Sequence, residues 1–144
     1  MISTKGRYAL RLMVDIATYS NGEVISLKDI SKREEISIKY LEQVVSLLTR
    51  GGMLVSIRGN SGGYLLAKDP KDYRVGDILR VAEGSLAPIA CLQCSPNSCP
   101  RASTCSTIEF WEGYFKAITD YVDNITLEDL KNRELERLGN DYNI

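Results

Sequence analysis

Hydrophobic residues recur every three or four positions through the first third of the chain, in three stretches separated by short polar segments. Each stretch follows a serine, at Ser3, Ser26 and Ser37, and serine is a favoured N-cap of helices. The first stretch ends near Gly22 and the third near Gly51, as expected of helix C-termini. Because the second and third helices are short and closely connected, the pattern predicts a helix-turn-helix.

The next segment has the pattern of a β-hairpin. Strands are predicted over residues 54–58 and 64–68, joined by Gly59-Asn60-Ser61-Gly62-Gly63, a turn that needs positive φ angles. A hairpin directly after a recognition helix is typical of the wing of a winged helix. The other interpretation, a phosphate cradle for a nucleotide, is weak because no helix follows directly and no Lys-Ser/Thr completes a P-loop.

A long amphipathic helix is predicted from about Ser106 to Asn124, after a short helix over residues 75–82 that ends at Gly84. Its hydrophobic residues form a seam with the alternating spacing of three and four that helix pairs use. The predicted dimer interface is this seam: Ile108, Trp111, Phe115, Ile118, Val122 and Ile125. A second stripe lies beside it, at Phe110, Tyr114, Ala117 and Tyr121. So wide an apolar face needs two neighbours, which favours a homodimer over a monomer with an ordinary core helix.

These elements give a mainly α fold with a small β-hairpin: a winged helix-turn-helix and a long C-terminal dimerisation helix. We predict a DNA-binding domain over residues 1–84 and a cysteine-rich loop over 85–105. The dimerisation helix and a short final helix, capped by Thr126, would occupy residues 106–133, followed by a flexible tail over 134–144.

All cysteines of the chain lie in that loop, at Cys91, Cys94, Cys99 and Cys105. Four thiols on one loop can converge on a single metal or iron–sulfur centre. The chain has no histidine, so sulfur would hold such a centre, with carboxylates as the other donors. The alternatives are a small disulfide staple or four unrelated buried thiols, which would be spread through the core.

Composition places the chain among soluble globular proteins, with 44% hydrophobic and 26% charged residues. The first residues lack the apolar core of a signal peptide, and no run approaches about 18 apolar residues. We therefore expect a cytoplasmic protein with no membrane segment, where disulfides are disfavoured. Residues 1–68 carry ten Lys/Arg against six Asp/Glu, and residues 69–144 carry eight against thirteen. The basic front half suits a polyanion partner.

The exposed face of the third helix carries side chains that can read base edges. Glutamate accepts from cytosine, glutamine pairs with adenine, and lysine contacts guanine or phosphate. A solvated polar face is the plainer interpretation, but the adjacent wing favours double-stranded DNA. The predicted DNA contacts are Thr4, Lys5, Arg7, Lys28, Ser37, Lys39, Tyr40, Glu42, Gln43, Arg58, Gly59, Asn60 and Ser61.

Three motifs resemble the Rrf2 family of bacterial winged-helix regulators, and within it the IscR-like, iron–sulfur cluster regulator branch. They are STKGRYA at residues 3–9, ISIKYLEQ at 36–43 and RGNSGGYLL at 58–66, supported by NITL at 124–127. The resemblance implies a homodimer that binds a pseudo-palindromic operator, with a cluster beside the long helix. It also implies that Glu42 reads bases and that Arg58 serves the wing.

The chain departs from that branch at one ligand. The branch uses three cysteines and a histidine three residues after the third, where this chain has Ile108. The resemblance assigns Cys91, Cys99 and Cys105 to the cluster, with Cys94 as an extra thiol. Cys94, a carboxylate, a backbone group or an external thiol would complete the ligand set, and a 2Fe–2S cluster is favoured over 4Fe–4S.

Two other classes of function are open at this point. A cluster-free or zinc-stabilised regulator of the same fold would resemble the cysteine-metabolism repressor branch of the family. A dithiol enzyme using Cys91 and Cys94 would need the pair to open a helix, but Ser95-Pro96 follows at once. No histidine base, paired-carboxylate site or complete nucleotide motif is present, so we predict that the chain is not an enzyme.

Overall fold

The structure, a computed structural model, describes residues 1–142, with side chains through residue 140. Its helices and strands follow in the order α1 (Thr4–Tyr19), α2 (Leu27–Glu34), α3 (Ile38–Arg50), β1 (Leu54–Ile57), β2 (Gly63–Leu66), α4 (Val75–Glu83), α5 (Ile108–Asp123) and α6 (Leu127–Tyr142). Short 3₁₀ turns lie at Pro70–Asp72 and Ala90–Leu92. The predicted class, mainly α with one hairpin in a winged helix-turn-helix, is confirmed.

The three serines identified from the sequence cap the first three helices. Ser3 Oγ accepts from the backbone N–H of Lys5 at 3.1 Å, and Ser37 Oγ accepts from that of Tyr40 at 3.2 Å. Ser26 caps α2 in the same way. These bonds satisfy N–H groups that have no partner within a helix, so the sequence itself determines where α1, α2 and α3 begin.

A hydrophobic core joins the helices of the winged domain. Leu12 and Ile16 of α1, Leu48 of α3 and Ile78 of α4 are fully buried in it. Each burial removes apolar area from water at about 25 cal/mol per Å². The core therefore holds α1 at the centre of the domain, between the helix-turn-helix and α4.

An ion pair anchors α2 to α1. The guanidinium of Arg33 donates to both carboxylate oxygens of Asp15, at 2.8 and 2.7 Å, and lies over the ring of Tyr19. The Asp15 side chain has no exposed surface, whereas that of Arg33 is 30% exposed. The hydrogen bonds to Asp15 raise the pKa of Arg33, so the pair stays ionised and fixes the angle between the two helices.

The wing is attached to the domain at its base. The hydroxyl of Tyr73, a fully buried residue, donates to the carbonyl of Met53 at 2.7 Å and accepts from the N–H groups of Ala67 and Lys68. Tyr64 of β2 also forms an antiparallel bridge with Ile25, before α2. The hairpin is thus held at its base by Tyr73 and against the segment before α2 by Tyr64.

The long helix α5 packs on α4 through salt bridges. Nη1 and Nη2 of the Arg80 guanidinium donate to the two carboxylate oxygens of Asp123, each at 2.9 Å. The backbone continues this contact, since Val75 N donates to the carbonyl of Ile125 at 2.8 Å. The hydrogen bonds from Arg80 lower the pKa of Asp123. The pair therefore couples the winged domain to the C-terminal helices.

The final helix is longer than predicted, because residues 134–142 of the expected tail over 134–144 are helical. Helix α6 continues through Tyr142, and its N-terminus is a capping box in which Thr126 and Asp129 bond each other's backbone N–H. The helix packs against α1 and buries Leu127 completely, which stabilises residues that the sequence pattern left polar. Asn143 and Ile144 lie outside the described residues.

Candidate functional site

The outer face of α3 presents the base-reading side chains predicted from the sequence. Lys39, Glu42 and Gln43 are all exposed. Two predicted contacts have structural duties as well: the Ser37 hydroxyl caps the helix, and the Tyr40 ring packs edge-on against Tyr8 at 5.2 Å. Ser37 and Tyr40 therefore define the first turn of α3, whereas Lys39, Glu42 and Gln43 are free to contact a ligand.

The first turn of α1 adds cations beside α3, because the contact between Tyr8 and Tyr40 brings these two helix N-termini together. Lys5 and Arg7 are exposed, and Thr4 is half-buried. Lys28, in the first turn of α2, is also exposed. Lysine and arginine at such positions contact phosphates and fix the register of a protein on DNA.

The wing extends the same surface. Arg58, Gly59, Asn60 and Ser61 are exposed, and Gly59 has a φ of 112°, a conformation that glycine adopts without strain. A Cβ on Gly63 would lie 2.2 Å from the carbonyl oxygen of Ile25. The wing can therefore approach α2 this closely only with a glycine at position 63.

A cleft of about 270 Å³ separates α3 from the wing. It is lined by residues that include Glu42, Ser46, Arg50, Ser56 and Tyr64. Arg50 and Ser56 are not among the residues predicted from the sequence to form this surface. Arg50 is in the last turn of α3, where arginine is expected for its interaction with the helix dipole, so the sequence offers no separate signal of a binding role.

The charges of this surface suit DNA. The side chains of Lys5, Arg7, Lys28, Lys39 and Arg58, which α1, α2, α3 and the wing carry, are all exposed. Cations in such numbers bind the phosphate backbone with release of counterions. The anionic Glu42 lies among them on the exposed face of α3, where a carboxylate repels phosphate and accepts hydrogen bonds chiefly from cytosine.

The cysteine loop brings two thiols together and a third near them. The thiols of Cys91, in the 3₁₀ turn, and Cys99 interact, and Cys105 is close enough to Cys91 to affect its charge. Cys94 is exposed. The structure thus places Cys99 beside Cys91 and Cys105 near them, without forming a preformed set of three ligands, and it records no contact of Cys94 with the other thiols.

The surroundings of the trio influence its ionisation in opposite directions. Loss of hydration raises the pKa of Cys91, and the adjacent Cys99 thiol raises it further. By contrast, the backbone N–H and hydroxyl of Thr107 and the N–H of Ile108 lower the pKa of Cys105. Since these groups begin α5, the helix N-terminus stabilises the thiolate, the form that binds metals.

The cysteine thiols of the loop are of a type that binds metals and iron–sulfur clusters. Asn97 Oδ1 accepts from Cys99 N at 2.8 Å, whereas Asn97 Nδ2 is buried and has no hydrogen-bond partner among the described residues. Cys99 and Cys105 line a cavity of about 340 Å³ with Arg101, Thr104 and Ser106. Across the described part of the chain, however, no three Cys, Asp or Glu side chains have the arrangement of a preformed metal site.

The apolar face of α5 is divided between its own chain and the surface. Phe115, Val122 and Ile125 of the seam pack against Val75, Leu79 and Leu86 of the same chain. Ile125 lies just beyond the C-terminus of α5, and every seam residue is half-buried. The second stripe is exposed, with Phe110 62%, Tyr114 48% and Tyr121 65% accessible. An apolar groove of about 490 Å³ adjoins it, lined in part by Leu86, Ile89, Trp111, Tyr114 and Ile118.

Within residues 1–142, no helix combines the length and the apolar character that crossing a bilayer requires.

Comparisons with known proteins agree with this architecture. A family model described as Rrf2, iron-dependent transcriptional regulator, matches residues 2–133. The HTH-type transcriptional regulator IscR of Pectobacterium atrosepticum is 38% identical over 92% of this chain and 80% of its own length.

Solved structures give the same result. CymR (YrzC), the global cysteine regulator of B. subtilis, superposes with a TM-score of 0.76 at 38% identity, covering 92% of this chain and 97% of its own. IscR of T. potens superposes with a TM-score of 0.75 at 37% identity, covering 93% and 88%. These relatives are transcriptional regulators and not enzymes.

Proposed function

The chain belongs to the Rrf2 family of DNA-binding transcriptional regulators, and from this premise we propose that it is a homodimer that senses iron–sulfur status through a cysteine-bound cluster. The observation that carries the proposal is the position of the trio Cys91, Cys99 and Cys105. Cys105 contacts Thr107, just before α5, and Cys91 and Cys99 lie near it; α5 is joined to the winged domain by Arg80 and Asp123. A ligand held there is placed to alter the relation between the two winged domains.

The recognition helix would read the operator in the major groove. Exposed Lys39, Glu42 and Gln43 project from α3, and a groove of B-DNA admits one helix. Glu42 would act as the discriminator, because a carboxylate is tolerated near phosphates mainly where it accepts from a cytosine amino group. Arg58 and the wing loop would contact the backbone beside it.

The exposed aromatic stripe of α5 supports a second copy of the chain as its cover. Phe110, Tyr114 and Tyr121 together expose more aromatic surface than a soluble monomer usually leaves on one helix. The seam residues Trp111 and Ile118 line the groove next to it, so both patterns identified from the sequence would contribute to the interface. Phe115, Val122 and Ile125 would do so indirectly, since they pack within their own chain.

A two-fold dimer implies a two-fold operator. The two recognition helices would enter major grooves about one helical turn apart, on a pseudo-palindromic site. Most contacts from Lys5, Arg7, Lys28 and Arg58 would go to phosphates, and they would make the affinity strongly dependent on salt.

Cys91, Cys99 and Cys105 would hold the cluster, which we propose to be of the 2Fe–2S type. Soft thiolates are the ligands that iron–sulfur clusters use. The buried Nδ2 of Asn97 would donate to sulfur, which supplies the partner that it lacks among the described side chains. Cys94 would be the fourth ligand, because it is tethered in the same loop and its recruitment costs little additional closure entropy.

The chemistry that a cluster supplies here is sensitivity to iron, sulfide and oxidants. The protein itself would transmit the signal: the bound thiolates would order the loop over residues 88–105, and the ordered loop would fix the position of α5. The Cys105 thiol forms hydrogen bonds with Thr107, just before α5, and with Ile108, its first residue. Order in the loop would therefore extend directly into the helix that sets the spacing of the winged domains.

A cluster-free regulator of the same fold is the second candidate. Two observations favour it: among the described residues no three ligands are preformed, and the similarity to the global cysteine regulator CymR is as close as that to IscR. A regulator of the same fold that is stabilised by zinc is the third candidate. All of these leave the DNA-binding surface unchanged, so metal analysis distinguishes them.

Anaerobic reconstitution with iron and sulfide tests the sensing part. We expect visible absorption and two iron and two sulfide per chain, abolished by serine at Cys91, Cys99 or Cys105. Ser98→Ala, within the same loop, is the matched control and should keep the spectrum. A colourless protein would contradict the cluster, and four iron per chain would contradict its type, whereas stoichiometric zinc would support the zinc form.

Selection of binding sites from random duplexes tests the DNA-reading part. The expected consensus is a pseudo-palindrome, Arg58→Ala should weaken binding to every sequence, and Glu42→Ala should mainly relax base preference. Glu23→Ala, which removes an exposed carboxylate that is not on α3, should change neither the affinity nor the base preference. An unaltered ranking of operators with Glu42→Ala would remove Glu42 from base recognition.

A further inference from the structure

One carboxylate oxygen links the end of α4 to the beginning of α1. Oε1 of Glu83 accepts from the backbone N–H of Ser3 at 2.8 Å, from the Ser3 hydroxyl at 2.7 Å and from the N–H of Gly6 at 2.9 Å. Glu83 is the last residue of α4, just before the cysteine loop. Three donors on one oxygen form a specific attachment, which we name the Glu83 latch.

Gly6 makes this attachment possible. A Cβ at position 6 would lie 2.5 Å from Glu83 Oε1 and 2.9 Å from Cγ2 of Ile2, far inside normal contact distance. Gly6 is buried and helical, where alanine would otherwise be favoured by about 1 kcal/mol. The close approach of the carboxylate is therefore the physical reason for a glycine in the first turn of α1.

The latch determines which groups of α1 can face DNA. A helix N-terminus offers free N–H groups to phosphates. Here, however, the N–H of Gly6 donates to the carboxylate of Glu83, and the N–H of Lys5 donates to Ser3 Oγ. This leaves only the N–H of Thr4 in the first turn, so contacts between α1 and DNA must come mainly from side chains. The exposed side chains of Lys5 and Arg7 flank Gly6 directly, so their direction follows the orientation that the latch gives to this turn.

We propose that Glu83 is a positioning residue for DNA binding, which holds the first turn of α1 so that Lys5 and Arg7 reach backbone phosphates. The proposal rests on the proposed function and adds a residue that no base or phosphate touches. It makes an unusual prediction: removing a negative charge near the DNA surface weakens binding, although electrostatics alone would strengthen it.

Ionisation of Glu83 is consistent with this role. Partial burial alone would raise its pKa, but the hydrogen bonds from Ser3 and Gly6 outweigh that effect and hold the pKa below the ordinary value. The carboxylate is thus charged, and the latch is complete, at neutral pH.

The test measures the affinity of Glu83→Ala for a selected operator and for a random duplex by fluorescence anisotropy over a range of salt concentrations. Losing one phosphate contact lowers the slope of log K against log salt by about 1. Since ionic contributions vanish near 1 M salt, this corresponds to about tenfold weaker binding at 0.1 M. Glu83→Gln keeps an oxygen acceptor and should restore part of the loss, and Glu23→Ala controls for charge.

Gly6→Ala gives an independent route to the same result. Its Cβ displaces the carboxylate, so it should weaken binding as Glu83→Ala does, and the double variant should be no worse than the poorer single one. Additive losses would show that Gly6 acts by another path and would overturn the latch. Thermal unfolding of each variant identifies the temperature at which all are folded for the binding assay.

The outcomes separate this inference from the proposed function. If the unmodified protein selects no operator, the proposed function fails. If it selects one, but folded Glu83→Ala binds equally well or more tightly with an unchanged salt slope, the latch is overturned and the proposed function stands.

Discussion

Replacing Arg33 with methionine tests how the helix-turn-helix is held together. The change leaves the carboxylate of Asp15 fully buried without its partner, since the two hydrogen bonds of 2.7 and 2.8 Å come from Arg33. Removing one partner of a buried ion pair costs about 3–5 kcal/mol. Arg33 is 30% exposed, so water can partly replace it, and we expect the lower end of that range, about 3 kcal/mol.

The assay is urea unfolding followed by far-UV circular dichroism at one fixed protein concentration, because dimerisation would shift the midpoint. With a slope of about 2 kcal/mol per M, a loss of 3 kcal/mol lowers the midpoint by about 1.5 M. Asp15→Asn removes the buried charge together with the pair and should cost less, about 1–2 kcal/mol.

Arg11→Met is the matched control, because Arg11 pairs with Glu34 at the surface and its side chain is 46% exposed. An exposed pair contributes less than about 1 kcal/mol. If Arg33→Met and Arg11→Met lower the free energy of unfolding equally, the cost does not come from a buried unpaired charge, and the reasoning is refuted.

Three further predictions concern the cluster, the dimer and the α4–α5 contact. Cys94→Ser should shift the visible spectrum of the reconstituted protein and make the centre labile; an unaltered spectrum and lifetime would remove Cys94 from the ligand set. Tyr121→Glu should dissociate the dimer in sedimentation at micromolar concentration, whereas Lys116→Glu, on the opposite face of α5, should not; a monomeric unmodified protein would exclude the dimer. Asp123→Asn should destabilise the protein at pH 7 by about 1 kcal/mol. The pKa of Asp123 is lowered from 3.8 in the folded state. The difference in free energy of unfolding between the variant and the unmodified protein should therefore be complete above pH 3.8 and should disappear as the pH falls through the folded-state pKa. A difference that is constant between pH 7 and pH 3 would contradict this linkage.

Local signals in the sequence predict the parts of the fold that depend on neighbouring residues. The serine caps of α1, α2 and α3, the glycine turn of the wing and the spacing of apolar residues in α5 all act within a few residues. For this reason the winged helix-turn-helix was predictable before the structure.

Features that depend on distant contacts were not predictable in the same way. The C-terminal half of α6 has a polar sequence and contains Gly139, yet it continues the helix, which packs against α1. The division of the α5 face, with Phe115 half-buried against α4 and Tyr121 exposed, follows from the position of α4. The Glu83 latch likewise joins residues that are far apart in the chain, so no local pattern indicates it.

The central claim, that the state of the cysteine loop controls DNA binding, is tested most directly by one titration. Operator affinity is measured anaerobically by anisotropy for the cluster-loaded and the apo form of the same preparation, with Cys99→Ser treated identically. We expect loading to change the affinity or the preferred operator of the unmodified protein and to leave those of Cys99→Ser unchanged. Equal affinities and equal operator preference for the loaded and apo forms would contradict it.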